Sequence, residues 1–373
     1  MSKPRVVVAG LGDSGLLTAV HLARARQVGE VVGISAKTAL VSGQELGVRL
    51  ARPDDWARDY LIGFDRFRGL DGVRTVHAGL LGLDSAARTV TVEDADGSTH
   101  AEPYDVLVIA TGVTNGFWRR ADVQSPAEVE TELRAAHERL GSAGAIGIVG
   151  GGAAAVSSAL NLALAWPDAS VDLYFPGERA LPHHHGRVWR QVQRRLSEAG
   201  VSLHAEHRAV VPEGFGCDAI TAGPIAWSTG QPPAEADAVL WAIGRVRPNS
   251  GWLPSELLDE NGFVRVDPQL RVPGAPGVWA VGDIAATDPL RTSARNRADK
   301  LLAHNIRATV SDRELKDYEP PRRRWGSVLG VQPDGLEVFA ANGRAFRFPA
   351  WTIDSVLQPW IVRRGIYGGV RQP

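Results

Sequence analysis

Two glycine-rich turns, residues 10–15 and 150–155, constrain the fold of this chain more than any other feature. Each follows a short apolar run and precedes a helical pattern, which gives the order strand, turn, helix. In such a turn the first glycine permits the bend, the second lets a pyrophosphate approach the backbone, and a small third residue lets helix and strand pack. One such turn is weak evidence, but two of them 140 residues apart leave room for one complete dinucleotide-binding fold and predict a second.

The pattern around each turn predicts a doubly wound α/β architecture. Residues 31–34 form a second apolar strand, which completes a βαβ unit with its usual right-handed crossover. Residues 106–110 are continuously apolar, as expected of a parallel strand buried on both faces. The same order restarts with a helical pattern at residue 126. We therefore predict two Rossmann-like dinucleotide-binding domains, with residues 1–118 and 251–312 in the first, residues 119–250 inserted as the second, and residues 313–373 as a small C-terminal extension.

Composition narrows the classes of partner. With 44% hydrophobic and 22% charged residues the chain can bury large cores, and its formal net charge of -1 gives no reason to expect nucleic acid as a partner. Its single cysteine, Cys217, excludes a Cys-x-x-Cys redox pair and is interpreted as a small buried side chain. No signal segment precedes the first strand and no run reaches about 18 apolar residues, so we expect a cytoplasmic protein without a transmembrane segment. Peripheral contact with a membrane and formation of a homodimer are left open.

Further motifs, taken in order, resemble those of a known family. Between and after the two turns come Ala-Thr-Gly at residues 110–112, Ala-Ile-Gly-Arg at residues 242–245 and Gly-Asp at residues 282–283. As an ordered set over residues 1–310 they are similar to the two-domain flavoproteins of the pyridine nucleotide-disulfide oxidoreductase superfamily. Because a cysteine pair is absent, the chain resembles most the type II NADH dehydrogenases and the apoptosis-inducing-factor-like oxidoreductases. The resemblance implies FAD at the first turn and NADH or NADPH at the second.

The resemblance also implies a set of cofactor-binding residues, without a catalytic side chain or a metal ligand. The set is Gly10, Gly12, Ser14, Gly15, Ser35, Lys37, Thr111, Gly112, Gly150, Gly152, Ala155, Gly244, Gly282 and Asp283. Of these, Asp283 is expected beside the ribityl chain and pyrophosphate of FAD. A helix that begins near residue 293 would direct its positive N-terminus at the pyrimidine edge of the flavin.

Three positions depart from the family's pattern. Ser35 stands where an acidic residue usually binds the ribose hydroxyls of FAD, with Lys37 nearby. Phe175 occupies the equivalent position of the second unit, so the sequence does not decide between NADH and NADPH. Arg179, four residues later, is interpreted as solvated surface rather than as a ligand of a 2′-phosphate. Ser157 replaces a glutamate that many relatives direct at the nicotinamide and flavin. Loss of that carboxylate would alter proton delivery more than hydride transfer.

Three conspicuous patterns are interpreted as structural. Histidines 183–185 are expected in a solvated loop, because consecutive side chains project in different directions and have no spaced metal-binding partners. The arginines at 322–324 are assigned to a linker. Near the C-terminus we expect one last helical turn at Trp351. Pro359 should interrupt a longer amphipathic helix, so packing on the flavin domain is favoured over contact with a membrane surface for four side chains, Trp351, Trp360, Arg363 and Arg364.

The expected reaction is hydride transfer from nicotinamide to flavin, followed by electron transfer to a quinone or another small acceptor. Two alternatives stay open. The chain could reduce an electron-carrier protein such as a ferredoxin, or it could be a redox sensor that binds both dinucleotides without turnover. The second alternative is suggested by Ser35, Phe175 and Ser157.

Overall fold

The computed structural model describes residues 3–42, 46–116, 120–287, 298–320 and 325–372. The helices within these ranges are α1 (Asp13–Ala23), α2 (Leu46–Ala51), α3 (Pro53–Tyr60), α4 (Pro126–Gly141), α5 (Ala153–Ala165), α6 (Gly186–Glu198), α7 (Ala298–Val310) and α8 (Ala350–Thr352), which continues into wider turns over Ile353–Ile366. The strands are β1 (Val6–Ala9), β2 (Val31–Ser35), β3 (Ala39–Val41), β4 (Leu61–Gly63), β5 (Val73–Asp84), β6 (Thr89–Asp94), β7 (Thr99–Pro103), β8 (Val106–Ile109), β9 (Val113–Thr114), β10 (Ala145–Val149), β11 (Ser170–Tyr174), β12 (Ser202–His204), β13 (Ala238–Trp241), β14 (Arg247–Pro248), β15 (Val278–Ala280), β16 (Val331–Gln332), β17 (Gly335–Phe339) and β18 (Ala345–Phe348).

Seven strands form the larger sheet, in the order β15-β8-β1-β2-β5-β6-β7. The first five are parallel, and β6 and β7 add an antiparallel hairpin at one edge. Strand β1 lies at the centre with every side chain buried, which explains its uninterrupted apolar run. Helix α1 connects β1 to β2 and packs against α7. The described part of α7 begins at Ala298, so the helix start expected near residue 293 lies outside the described residues.

The smaller sheet has four parallel strands in the order β12-β11-β10-β13. Helix α4 leads into it and begins with a capping box, in which the Ser125 backbone N–H donates to Glu128 Oε2 at 2.7 Å and the Glu128 N–H donates to Ser125 Oγ at 3.3 Å. Helix α5 then connects β10 to β11. The α/β class and the two Rossmann-like units are thereby confirmed, whereas the exact domain boundaries stay predictions.

The two passages of the chain between the sheets are tied to each other. Strands β9 and β14 pair in antiparallel fashion where the chain leaves and re-enters the larger unit. Beside them the Asn249 amide donates to Thr111 O at 3.0 Å, and the Thr114 hydroxyl donates to Asn249 Oδ1 at 2.7 Å. The Thr111 hydroxyl donates to Asn249 O at 2.8 Å. These bonds, which we call the crossover tie, hold Thr111 and Gly112 at the border between the units.

The C-terminal extension forms a three-stranded antiparallel sheet, β16-β17-β18. It is followed by α8 and the wider turns after it, residues 350–366, which we call the α8 segment. The expectation of a single helical turn near Trp351 is wrong, because helical turns continue from Ala350–Thr352 through Ile353–Ile366. Pro359 lies inside this stretch and does not interrupt it. The wider i→i+5 turns relieve the clash between a proline ring and the carbonyl four residues earlier.

Candidate functional site

A cleft of about 1000 Å³ lies where the two sheets and the C-terminal extension meet. The predicted residues that line it are Gly10, Gly12, Ser14, Ser35, Lys37, Thr111, Gly112, Gly282 and Asp283. The others, Gly15, Gly150, Gly152, Ala155 and Gly244, lie outside its lining. The cleft therefore belongs mainly to the first glycine turn, and the second turn adjoins it through Ala153 and Ala154 at the start of α5.

The first turn shows why its three glycines are required. A Cβ on Gly10, which has a φ of +99°, would lie 2.5 Å from the Ala110 carbonyl oxygen, and a Cβ on Gly15 would lie 1.8 Å from the Gly10 oxygen. Gly12, in contrast, faces open space, with nothing within 4 Å of a Cβ. Gly282 abuts Ser14, whose Oγ would lie 2.9 Å from its Cβ. The open side of the turn thus has the shape of a backbone cradle for a pyrophosphate.

The end of β2 presents a cation and a hydroxyl to the cleft. The Ser35 hydroxyl accepts a bond of 3.2 Å from the Lys37 backbone N–H. The Lys37 ammonium donates to the carbonyls of Arg120, at 3.5 Å, and Asp122. Burial lowers the pKa of Lys37, because removal from water disfavours its charged form. This edge of the cleft is therefore suited to neutral hydroxyls or to an anion.

The second turn repeats the first with one difference. A Cβ on Gly150, which has a φ of +146°, would lie 2.1 Å from the Ala242 oxygen, and a Cβ on Gly152 would meet nothing within 4 Å. The third position is Ala155, which is fully buried and already carries a Cβ. Nearby, Gly244 adopts a φ of +74° in open surroundings. The second turn is thus also open at its middle glycine.

Ser157 lies at a close crossing of α5 and α2. It is 4% exposed, and its hydroxyl approaches the Leu329 carbonyl at 3.4 Å. A Cβ on Gly47 would lie 2.3 Å from the Ser157 carbonyl oxygen, so the two helix backbones are in direct contact. Although Ser157 borders the cleft, its surroundings have the dimensions of a small side chain.

The cleft is also lined by three side chains that were not predicted from the sequence, Arg49, Trp56 and Tyr60. The Arg49 guanidinium lies 4.0 Å from the centroid of the Trp56 ring and donates to the Ser42 carbonyl. Arg49 is 3% exposed within the otherwise apolar helix α2, and a lone arginine in such a helix is the only signal that the sequence offers.

Ser42 also contacts a carboxylate at the start of α1. Asp13 Oδ1 lies 3.4 Å from both the Ser42 and the Tyr367 hydroxyl. The Tyr367 contact brings the end of the C-terminal extension to the first glycine turn. The two residues are 354 positions apart, so local sequence patterns could not predict the contact.

Five residues from three parts of the chain form what we call the polar node. The Asn161 amide, on α5, donates to Leu329 O at 2.9 Å, and Gln332 Nε2 donates to Asn161 Oδ1 at 3.2 Å. Arg52, just before α3, donates to Asn161 Oδ1 at 3.3 Å and to Val331 O at 2.7 Å. The node therefore joins the extension to both sheet-containing units.

The extension covers the cleft with apolar side chains. The lining contributed by this part of the chain includes Trp325, Val328, Phe348, Leu357 and Ile361. Trp351 and Trp360 do not pack on the larger unit as expected, because they are 73% and 57% exposed. Buried positions in the α8 segment recur every four or five residues, which leaves both tryptophans on the outer face. Arg363 does contact the larger unit, through an ion pair of 3.2 Å with Asp59.

The histidine run is not wholly solvated. His184 is 9% exposed and lines the cleft. The His185 ring accepts a bond from the Arg187 backbone N–H at the start of α6. His183 is exposed, as expected. Across the ranges that the structure describes, histidines, cysteines and acidic residues form no cluster that could hold a metal ion. Cys217 is buried as expected, and burial raises the pKa of its thiol. The arginines at 322–324 lie outside the described residues.

Comparisons with known proteins agree with this geometry. The model of the pyridine nucleotide-disulphide oxidoreductase family matches residues 4–304. Oxidoreductase ptaL of Pestalotiopsis fici is 25% identical over 339 residues, which cover 87% of this chain and 83% of that protein. Outside the gaps in the described chain, no helix combines the length and the apolar character that crossing a membrane requires.

Solved structures share the fold at low identity. Reduced CoADR-RHD of Bacillus anthracis gives a TM-score of 0.67 at 18% identity, covering 91% of this chain but only 61% of that one, less than two thirds of its length. An engineered water-forming NADPH oxidase bound to NADPH gives a TM-score of 0.65 at 19% identity, covering 90% of this chain and 74% of that one. It is a five-substitution mutant of LbNOX, the water-forming NADH oxidase of Lactobacillus brevis.

Proposed function

Because the chain belongs to the pyridine nucleotide-disulphide oxidoreductase family, we propose that it is an FAD-dependent NAD(P)H oxidoreductase that reduces a quinone-like small acceptor. The observation that carries the proposal is the pair of glycine turns beside one cleft, each open at its middle glycine. FAD, when bound, supplies the hydride-accepting and electron-donating chemistry. The side chains and backbone of this protein position it and control what reaches it.

The first turn fits the pyrophosphate of FAD. The open space at Gly12 lets phosphate oxygens approach the backbone, and the N-terminus of α1 would direct its N–H groups and the positive end of the helix dipole at them. Ser35 and Lys37 would bind the adenosine ribose through a hydroxyl and an ammonium, in place of the usual carboxylate. Asp283 would accept bonds from the ribityl hydroxyls. The proposal therefore does not require an acidic residue at the end of β2.

The second turn fits the pyrophosphate of the nicotinamide dinucleotide in the same way, through Gly152 and the start of α5. Ala153 and Ala154 line the cleft with methyl groups, which leave room for a flat ring between the second turn and the flavin site. The chain's role in hydride transfer is to stack the two rings and exclude water from them.

An apolar acceptor is favoured by the side of the cleft that the extension covers. Ile361 lines the cleft and is also 44% exposed, so the apolar lining continues onto the outer surface. The same segment exposes Trp360 and Val356, by 57% and 44%, with the Arg364 guanidinium 5.0 Å from the Trp360 ring centroid. An apolar lining that reaches the surface at Ile361 suits the ring and tail of a lipophilic quinone better than a highly charged carrier protein.

The proposal is tested by anaerobic mixing of FAD-loaded protein with NADPH or NADH while the flavin absorbance is followed. We expect bleaching by at least one nucleotide and reoxidation by a quinone. Reoxidation by ferredoxin alone would assign the carrier-protein alternative, and tight nucleotide binding without bleaching would assign the sensor.

The acceptor path is tested by Trp325→Ala, which removes a ring that lines the cleft and is 51% exposed. We expect KM for a quinone to rise about tenfold, as for loss of one aromatic contact, with flavin reduction unchanged. Trp351→Ala is the matched control, because Trp351 lies outside the lining. If both substitutions raised the KM for the quinone equally, the quinone would enter elsewhere. The same conclusion would follow if Trp325→Ala lowered ferricyanide reduction as much as quinone reduction.

A further inference from the structure

The loop that follows β11 lies against the second glycine turn. The Leu181 backbone N–H donates to the Gly151 carbonyl at 2.7 Å. A Cβ on Gly151 would lie 3.3 Å from Phe175 Cβ and 3.8 Å from Ala180 Cα. In a Rossmann-like unit the residues after this strand meet the adenosine ribose of the bound dinucleotide. Residues 175–181 are therefore placed where the 2′ position of that ribose would lie.

The first residue of this loop cannot bind a ribose hydroxyl. Phe175 is 2% exposed and packs edge-to-face on Trp189, with ring centroids 5.5 Å apart. A carboxylate at the end of this strand binds the free 2′-hydroxyl of NADH, whereas an arginine nearby accommodates the 2′-phosphate of NADPH. At the end of this strand Phe175 replaces the carboxylate, because the side chain at this position belongs to the core.

Positive charge surrounds the same loop. Residues 175–190 contain one acidic residue, Glu178, and three arginines, Arg179, Arg187 and Arg190. Among the described residues no carboxylate forms an ion pair with Arg179, whose Nη2 makes only long contacts to the Pro182 and His184 carbonyls, at 3.4 and 3.5 Å. Its guanidinium is thus positioned by the loop but not neutralised.

The start of α6 adds to this charge. Arg179 Nη1 lies 3.3 Å from the position of a Cβ on Gly186, the first residue of the helix. Glycine at this position leaves room for the guanidinium over the helix N-terminus, where the helix dipole is positive. A guanidinium and a helix N-terminus together are suited to a phosphate dianion.

We propose that this protein selects NADPH over NADH, with Arg179 binding the 2′-phosphate. The proposal rests on the proposed function, because it names the nucleotide that the second turn uses. It replaces the interpretation of Arg179 as solvated surface. The engineered NADPH oxidase with a similar fold follows the same chemistry, since its five substitutions remove one aspartate and introduce two arginines.

The test compares binding of adenosine 2′,5′-bisphosphate and adenosine 5′-monophosphate, which differ only in the 2′-phosphate, by titration calorimetry. We expect the bisphosphate to bind about 10- to 100-fold more tightly, in line with a charge-assisted contact. Arg179→Ala should remove this preference, and Arg179→Lys should keep part of it. Arg194→Ala is the matched control, because Arg194 lies on α6 and pairs with Glu198 instead. FAD content and melting temperature verify that each variant is folded.

Equal affinity of the wild type for the two ligands, or an unchanged preference in Arg179→Ala, would overturn the selectivity proposal. Neither result contradicts the proposed function, which is rejected only if neither NADPH nor NADH bleaches the flavin. Conversely, a 2′-phosphate preference that depends on Arg179, found in a protein whose flavin neither nucleotide reduces, supports the selectivity proposal and removes the proposed turnover.

Discussion

The two glycine turns share one backbone design and differ in what surrounds it. Both begin with a glycine at positive φ that is pressed against a neighbouring carbonyl, and both are open at Gly12 or Gly152. The first turn is covered by the C-terminal extension through the Tyr367 contact to Asp13. The second is bordered by the loop that contains Arg179 and by the arginine-bearing start of α6. The comparison indicates that the turn selects a pyrophosphate, whereas neighbouring segments select which dinucleotide carries it.

The third position of each turn gives the largest expected difference. Gly15→Ala would place a Cβ 1.8 Å from the Gly10 oxygen and should destabilise the protein by about 3 kcal/mol or more, because backbone must move. Ala155→Gly in the second turn should cost only about 1 kcal/mol of helix propensity. Urea unfolding of both variants measures the difference. Similar losses for the two would mean that the turns do not differ in packing.

The middle glycines separate the two sites by ligand. Gly12→Val should leave a folded protein that retains little FAD, and Gly152→Val should retain FAD but bind the nicotinamide dinucleotide at least about 100-fold more weakly, because the added side chain fills the phosphate space. FAD absorbance after gel filtration and stopped-flow flavin reduction read out the two effects. A Gly152→Val protein reduced at the wild-type rate and affinity would show that the nucleotide binds elsewhere.

The smallest effect is expected where the two regions meet. Ser157→Glu places a longer, charged side chain at the α2–α5 crossing, where Gly47 and Ser157 are in backbone contact, and should cost about 1–3 kcal/mol. If it folds, restored proton delivery would raise quinone turnover relative to reduction of a one-electron dye. Melting temperature and both turnover rates are measured on Ser157→Glu and on its neutral isostere Ser157→Gln. Wild-type stability in the glutamate variant would show that the crossing has spare room.

What could be predicted from the sequence was local. The glycine turns, the buried strands beside them and the helical pattern that starts at residue 126 are set by residues within a few positions of one another, and the structure has these turns and elements. Arg49 and Trp56 were missed because their role depends on a fold-level contact with the cleft, and helical periodicity is too short to read in α2. The turns that continue through Pro359 were missed because the proline rule assumes α-helical spacing.

The polar node has a mechanical consequence for the cleft. With the crossover tie alone, the two sheet-containing units could rotate relative to each other about that attachment. The α2–α5 crossing already holds the two units together, and the node joins them at a further place, through Asn161 and Arg52, with the C-terminal extension bonded to both. Widening of the cleft therefore requires rupture of the Asn161 bonds. The extension, which lies outside the matched residues 4–304, therefore contributes to holding the two nucleotide sites at a fixed separation.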